Sequence, residues 1–158
     1  MNTDAALRQH LRRLLTWEDA HVSFDTAVDG IPVGARGSTA PSLPHSPWQL
    51  VEHLRRTQRD ILDFCADPAY SEPPMSEYWP PSTAPESPDA WERSVGAFRD
   101  DRERFTHLVV NTVVDLFARI PHGTGQTYLR EVVLLVDHNA YHVGQLVLVR
   151  RALGIWPA

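Results

Sequence analysis

The sequence contains no lysine, one cysteine and no apolar run longer than Val132 to Val136. Each shortage excludes something. A lone Cys65 rules out an internal disulfide, and its neighbours Ile61, Leu62 and Phe64 predict a buried, inert thiol. The apolar run is far short of the ~20 residues that cross a bilayer, so no membrane partner is expected. The N-terminus, Met1-Asn2-Thr3-Asp4, lacks the basic and apolar regions of a secretory signal, which predicts a cytoplasmic protein. All fifteen basic residues are arginine, which we read as genome composition rather than mechanism. Net charge is −5 with neutral histidines, which argues against sequence-independent binding of nucleic acid. The pairs Arg55-Arg56 and Arg150-Arg151 read as solvated helix faces. Strand-forming alternation of useful length is missing as well.

What is present is helical periodicity punctuated by proline. Eleven of thirteen prolines lie between Pro32 and Pro88. Neither proline group can form a long helix, because proline removes a donor and clashes with the preceding turn. Outside them four segments read as helices. The first runs from Asp4 to Val28, with Thr3 as cap, Leu7, Leu11, Leu14, Val22 and Val28 as stripe, a break near Thr16-Trp17, and Gly30 as terminator. The second runs from Pro47 to Ala66; Ser46 as N-cap, Pro47 in the first turn and Gln49 complete a capping box. The third runs from Pro88 to Val109, capped by Ser87, with Trp91, Val95, Phe98, Phe105 and Leu108 facing inward and Arg102 snorkelling from the same stripe. The fourth runs from Thr127 to Leu153. Its apolar residues from Val132 to Val136 point to burial on most of its circumference. Residues 111–126 read as a loop. One domain of 158 residues results: an all-α four-helix bundle with long, proline-rich connections.

Eight histidines are many for this length, and their placement matters more than their number. His138 and His142 are four apart in the fourth segment, so they share one helix face and can reach one ion. Val136, Val143, Leu146 and Val147 around them favour neutral rings, the form that binds metal. The alternative is a pair of core histidines bonded to backbone or to each other. His53 is the third candidate, at the edge of the second segment's stripe beside Leu50 and Leu54. Three histidines from two helices are the protein ligands of an open metal site. Asn139 follows His138 where a zinc peptidase needs glutamate, so peptide hydrolysis by that route is not expected.

The stretches Ser46-Pro47-Trp48-Gln49-Leu50-Val51-Glu52-His53-Leu54 and Asp137-His138-Asn139-Ala140-Tyr141-His142-Val143-Gly144-Gln145-Leu146 resemble the two metal-binding stretches of the DinB-like (DinB/YfiT) superfamily. The resemblance covers the whole chain in helix order. It implies a four-helix bundle, often a dimer, with one divalent metal ion on His53, His138 and His142. Its characterised members include thiol S-transferases that use bacillithiol or mycothiol, and a mycothiol-dependent maleylpyruvate isomerase. It therefore implies a metal-dependent enzyme that transfers a low-molecular-weight thiol to a small electrophile. A metal-dependent hydrolase, and a non-catalytic bundle tied by its metal, are the other readings. Zinc or nickel heads the list of metals, with iron or manganese after them; imidazole suits several alike.

Gln145, on the face of the histidine pair, is a partner for a ligand ring or for substrate, or an interhelical bond. Asp137 is an orienting carboxylate or a solvated one. Gly144 is read as allowing close helix contact. His45 and His122 sit in loops and read as packing residues, with His45 within reach of the site mouth. His10, His21 and His107 read as surface or packing residues. Trp48, Tyr78 and Trp79 are packing residues or pocket walls, and the Trp79-Pro80-Pro81 loop is the segment expected to cover the site.

Overall fold

The first helix of the structure, a computed structural model that describes residues 2–16 and 20–157, is shorter than its apolar stripe suggests. Helix α1 spans Thr3–Leu14 and α2 spans only Phe24–Val28. The two are separate because Ser23 caps α2, its hydroxyl accepting from the Thr26 amide. The expected break near Thr16-Trp17 is thus real at Thr16, while Trp17 lies outside the described residues. The cap of α1 is Asn2, not Thr3: its side chain accepts from the Asp4 amide. Gly30, at φ +67°, turns the chain after α2 where a side chain would be strained.

Helix α3 spans Pro47–Ala66 and begins with the expected capping box. Helix α4 spans Ala90–Val110. Ser87 does not cap it. Asp89 holds the cap position without a side-chain bond to the helix, and Ser87 instead donates its hydroxyl to the Asp89 carboxylate. Helix α5 spans Tyr128–Ala152, capped by Thr127, and Gly154 follows it in the left-handed region. Helix α3 packs against both α4 and α5, α1 against α4, and α2 against α5. The described residues contain no sheet, only one isolated bridge between Arg119 and Thr127 inside the loop before α5.

Two apolar clusters fill the bundle. One joins α2 to the first half of α3, the first half of α4 and the last half of α5, through residues such as Phe24, Leu50, Leu54, Phe98 and Leu146. The other joins α1 to the opposite ends, through Leu11, Ile61, Phe105, Val132 and Leu135. Cys65 is buried in the second, and burial pushes its thiol up to about 12, as an inert cysteine requires.

Arg150 departs from its solvated reading. Arg150 is 1% exposed and donates to the carbonyls of Thr26, Ala27 and Ile155, closing the C-terminal end of α2. Arg8, on α1, likewise donates to the carbonyls of Val109, Asn111 and Val114 at the end of α4. Helix ends leave carbonyls without intrahelical partners, and a guanidinium supplies several donors at once. Arg55 and Arg56 are half-buried around Glu52. Arg102 pairs with Asp25, which fixes α4 to α2.

Helix α5 is not buried on most of its circumference. Val133, Leu134 and Leu148 are exposed, so its apolar residues face two ways. Over an 18-residue window its mean hydropathy is 1.3, which by length and composition alone suffices for a membrane span even without a long unbroken apolar run.

Candidate metal centre

Capping fixes where the histidines fall. The Ser46–Gln49 box starts α3 at Pro47, which places His53 two turns in, on the side packed against α5. His138 and His142, one turn apart near the middle of α5, meet it there. His53 Nε2 lies 3.1 Å from His138 Nε2 and 3.2 Å from His142 Nε2, and one ligand nitrogen from each ring lies within 4.8 Å of the others. His53 and His142 are buried and His138 is half-buried.

The partners of the other ring nitrogens decide what these contacts are. His53 Nδ1 donates to the Tyr78 carbonyl oxygen at 2.8 Å, and His142 Nδ1 donates to Gln145 Oε1 at 2.8 Å. Both neutral rings therefore carry their proton on Nδ1 and a lone pair on Nε2. The 3.2 Å approach between those two Nε2 atoms sets acceptor against acceptor. His138, whose Nδ1 is buried without a partner, is able to donate to only one of them. A further proton is disfavoured. Burial, with the neighbouring rings adding to it, lowers His53 and His138 to about 4, and burial lowers His142 as well. A cation at the centre resolves the conflict. Ligand nitrogens about 2.1 Å from one ion are separated by about 3.0–3.4 Å in octahedral or tetrahedral geometry, which matches the observed spacing.

The loop before α4 covers this centre, as expected. Trp79 lies flat on His53, ring centroids 3.8 Å apart and 6° from parallel, and His45 stacks on Trp79 at 3.9 Å. Tyr141 stands edge-on to His142 at 4.9 Å. Helix α3 anchors the loop at regular intervals. His53 takes the Tyr78 carbonyl, Arg56 donates to the Glu77 carbonyl, and Asp60 accepts from the hydroxyls of Tyr78 and Tyr70 at 2.8 and 2.7 Å. These residues are spaced 53, 56, 60, one face of a helix. Asp60→Ala is expected to weaken metal binding about tenfold, the lower range for groups that orient a ligand, with the metal-free melting temperature little changed. Competition against a chromophoric chelator measures it; unaltered affinity would separate the clamp from the centre.

Of the residues singled out in the sequence, His53, His138, His142 and Gln145 come together. Asp137 is exposed and no hydrogen bond joins it to a ligand ring among the described residues. His122 reaches the Phe64 carbonyl, away from the centre, and His10, His21 and His107 are exposed. Trp48 is a core residue. Two contributors were not legible: the Tyr78 backbone oxygen, which has no signature, and Asp60, one acidic residue among many on a solvated face.

The fold and the centre define a helical bundle whose two packed helices carry a three-histidine cluster capable of coordinating a metal ion. A match to the DinB superfamily spans residues 5–146, and the chain belongs to that superfamily. No curated protein and no solved structure matches it.

Proposed function

We propose that the chain is a metal-dependent enzyme whose ion sits on His53, His138 and His142 and whose reaction joins a low-molecular-weight thiol to a small electrophile. The observation that carries the metal is the pair of opposed Nε2 lone pairs of His53 and His142, each fixed by a bond at Nδ1. Zinc and nickel are the first candidates, with iron and manganese behind them. Three protein ligands leave coordination positions open, and a bound divalent ion lowers the pKa of a thiol or water that takes one.

The chain's own residues then have distinct tasks. Tyr78 and Gln145 hold two of the imidazoles in the ligating tautomer. Trp79 walls one side of His53 and excludes water there. A cleft of about 500 Å³ includes Glu52 and Pro80, the chain neighbours of His53 and Trp79, and is lined by Arg55 and Arg56, which pair with Glu52, and by Arg93, which pairs with Asp89. The thiol part of the reading is drawn from the superfamily resemblance.

The test is turnover by zinc- or nickel-loaded protein with bacillithiol, mycothiol or glutathione and a chlorinated electrophile. A carbon–sulfur bond forms, chloride leaves with the bonding electrons, and the thiol proton passes to solvent. Metal-dependent product that vanishes in His142→Ala supports the reading. Ester cleavage without thiol transfer would make it a hydrolase. No product from any thiol or ester, with the metal stoichiometric, would leave an ion whose task is to tie α3 to α5.

A further inference from the structure

Asn139 stands where a zinc peptidase carries its glutamate, and an amide there offers no acid–base chemistry. Its side chain is held from α3 and α4. Gln58, 0% exposed, donates from Nε2 to the Phe98 carbonyl oxygen of α4 at 2.6 Å, and a carbonyl can only accept. That bond leaves Gln58 Oε1 to accept from Asn139 Nδ2 at 3.1 Å. The Asn139 amide is thereby oriented as well, with Oδ1 as its remaining end. Oδ1 is buried and has no partner, and on the preceding residue His138 Nδ1 is buried and has no partner either. One atom accepts and the other is able to carry a proton. Burial first, and then the His142 ring, lower the basicity of His138; the Asn139 side chain acts against them, as an acceptor beside a ring N–H does.

His138 has to change tautomer to serve as a ligand. With its proton on Nε2 it donates to His53 Nε2 at 3.1 Å. As a ligand it presents a lone pair at Nε2 and carries the proton on Nδ1, as His53 and His142 already do. The ring gives one proton to solvent and takes one back, so the count is unchanged. A buried N–H then requires an acceptor.

We propose that Asn139 is the positioning residue for His138: its Oδ1 receives the Nδ1–H of His138 in the ligating tautomer, and Gln58 with the Phe98 carbonyl holds the amide in place. This role rests on the reading of His53, His138 and His142 as metal ligands, and Asn139 completes that set. Each imidazole has its own oxygen: the Tyr78 carbonyl for His53, Gln145 Oε1 for His142 and Asn139 Oδ1 for His138. The third is braced through Gln58 of α3 and Phe98 of α4, so the packing of three helices sets one ligand ring. The relay also gives a reason for the amide at this position, since a carboxylate would face Gln58 Oε1 acceptor to acceptor.

The test is the zinc affinity of the full chain, by competition with a chromophoric chelator, for wild type, Asn139→Leu and Asn139→Asp, beside melting temperatures in excess EDTA. Both substitutions break the bond to Gln58, so both are expected to melt below wild type without zinc. Only Asn139→Leu removes the acceptor. It is expected to bind zinc about tenfold or more weakly, while Asn139→Asp binds as tightly as wild type or tighter. A purely structural residue would instead weaken zinc binding in both variants, in step with their melting. Wild-type affinity in Asn139→Leu, or an equal loss in the two variants, would overturn the proposal. A crystal structure of the zinc-loaded wild type needs no variant. It is expected to place His138 Nδ1 within ~3.2 Å of Asn139 Oδ1, and an Nδ1 bonded to water or backbone instead would overturn the proposal while leaving the metal reading intact. A wild type that binds no zinc would overturn the metal reading, and the role of Asn139 with it.

Discussion

Zinc at about a thousand times its dissociation constant is expected to raise the melting temperature by about 8–16 °C, a gain that His142→Ala abolishes. Saturation at that excess adds about 4 kcal/mol to the folded state, and each kcal/mol moves a domain of this size by about 2–4 °C. His53→Ala and His138→Ala should remove most of the same gain, since each takes away one of three nitrogens. The metal-free protein supplies the control. In it the Nε2 atoms of His53 and His142 oppose each other at 3.2 Å, so His142→Ala relieves a repulsion as well as emptying a volume. Its cost without metal should therefore fall below the 2–5 kcal/mol usual for truncating a buried side chain. A core pair that merely hydrogen-bonded would behave in the opposite way: a full truncation cost, and melting indifferent to zinc. Differential scanning fluorimetry with and without chelator, on untagged protein, reads both quantities.

Much of this centre is legible in the sequence. The capping box at Ser46 set the phase of α3, and the four-residue step from His138 to His142 set a shared face on α5. What failed failed for definable reasons. Val22 and Val28 continue the stripe of Leu7, Leu11 and Leu14, so periodicity joins into one segment, with a break near Thr16-Trp17, what are two helices, the second started by the Ser23 cap. Arg150 satisfies carbonyls at the end of α2, and a pairing that depends on where two distant helix termini meet leaves no local pattern. The apolar run of α5 reads as core because a helix wheel does not distinguish a residue packed on its own bundle from one that faces outward. Val133, Leu134 and Leu148 are of the second kind.

Glu52, the residue before His53, is where acid should first weaken the bundle. It is 6% exposed, yet its carboxylate accepts from Arg55 at 2.8 and 2.6 Å, from Arg56 at 2.8 Å and from the Ser94 hydroxyl of α4 at 2.7 Å. Burial alone would raise its pKa. The hydrogen bonds from Arg55, Arg56 and Ser94 outweigh burial and hold it at about 2. The unfolded chain binds that proton near the ordinary value of about 4.3, so the group stabilises the fold fully above that pH. The contribution is lost as pH falls from about 5 towards 2, and its size is about 2–3 kcal/mol, since the two guanidiniums retain some contact with water. Glu52→Gln should remove about that much at pH 7 while keeping the shape, because the amide satisfies Ser94 but leaves two half-buried guanidiniums without their counter-charge. At pH 3 the two proteins should differ far less. Urea unfolding of both at pH 7, 5, 4 and 3 gives the profile, and a constant gap between them would mean that Glu52 acts through packing rather than charge. The same measurement on metal-loaded protein joins the two expectations. Glu52 ties α3 to α4 through Ser94 while the histidines tie α3 to α5, so acid should loosen the α4 side of α3 independently of any proton competing for the ion.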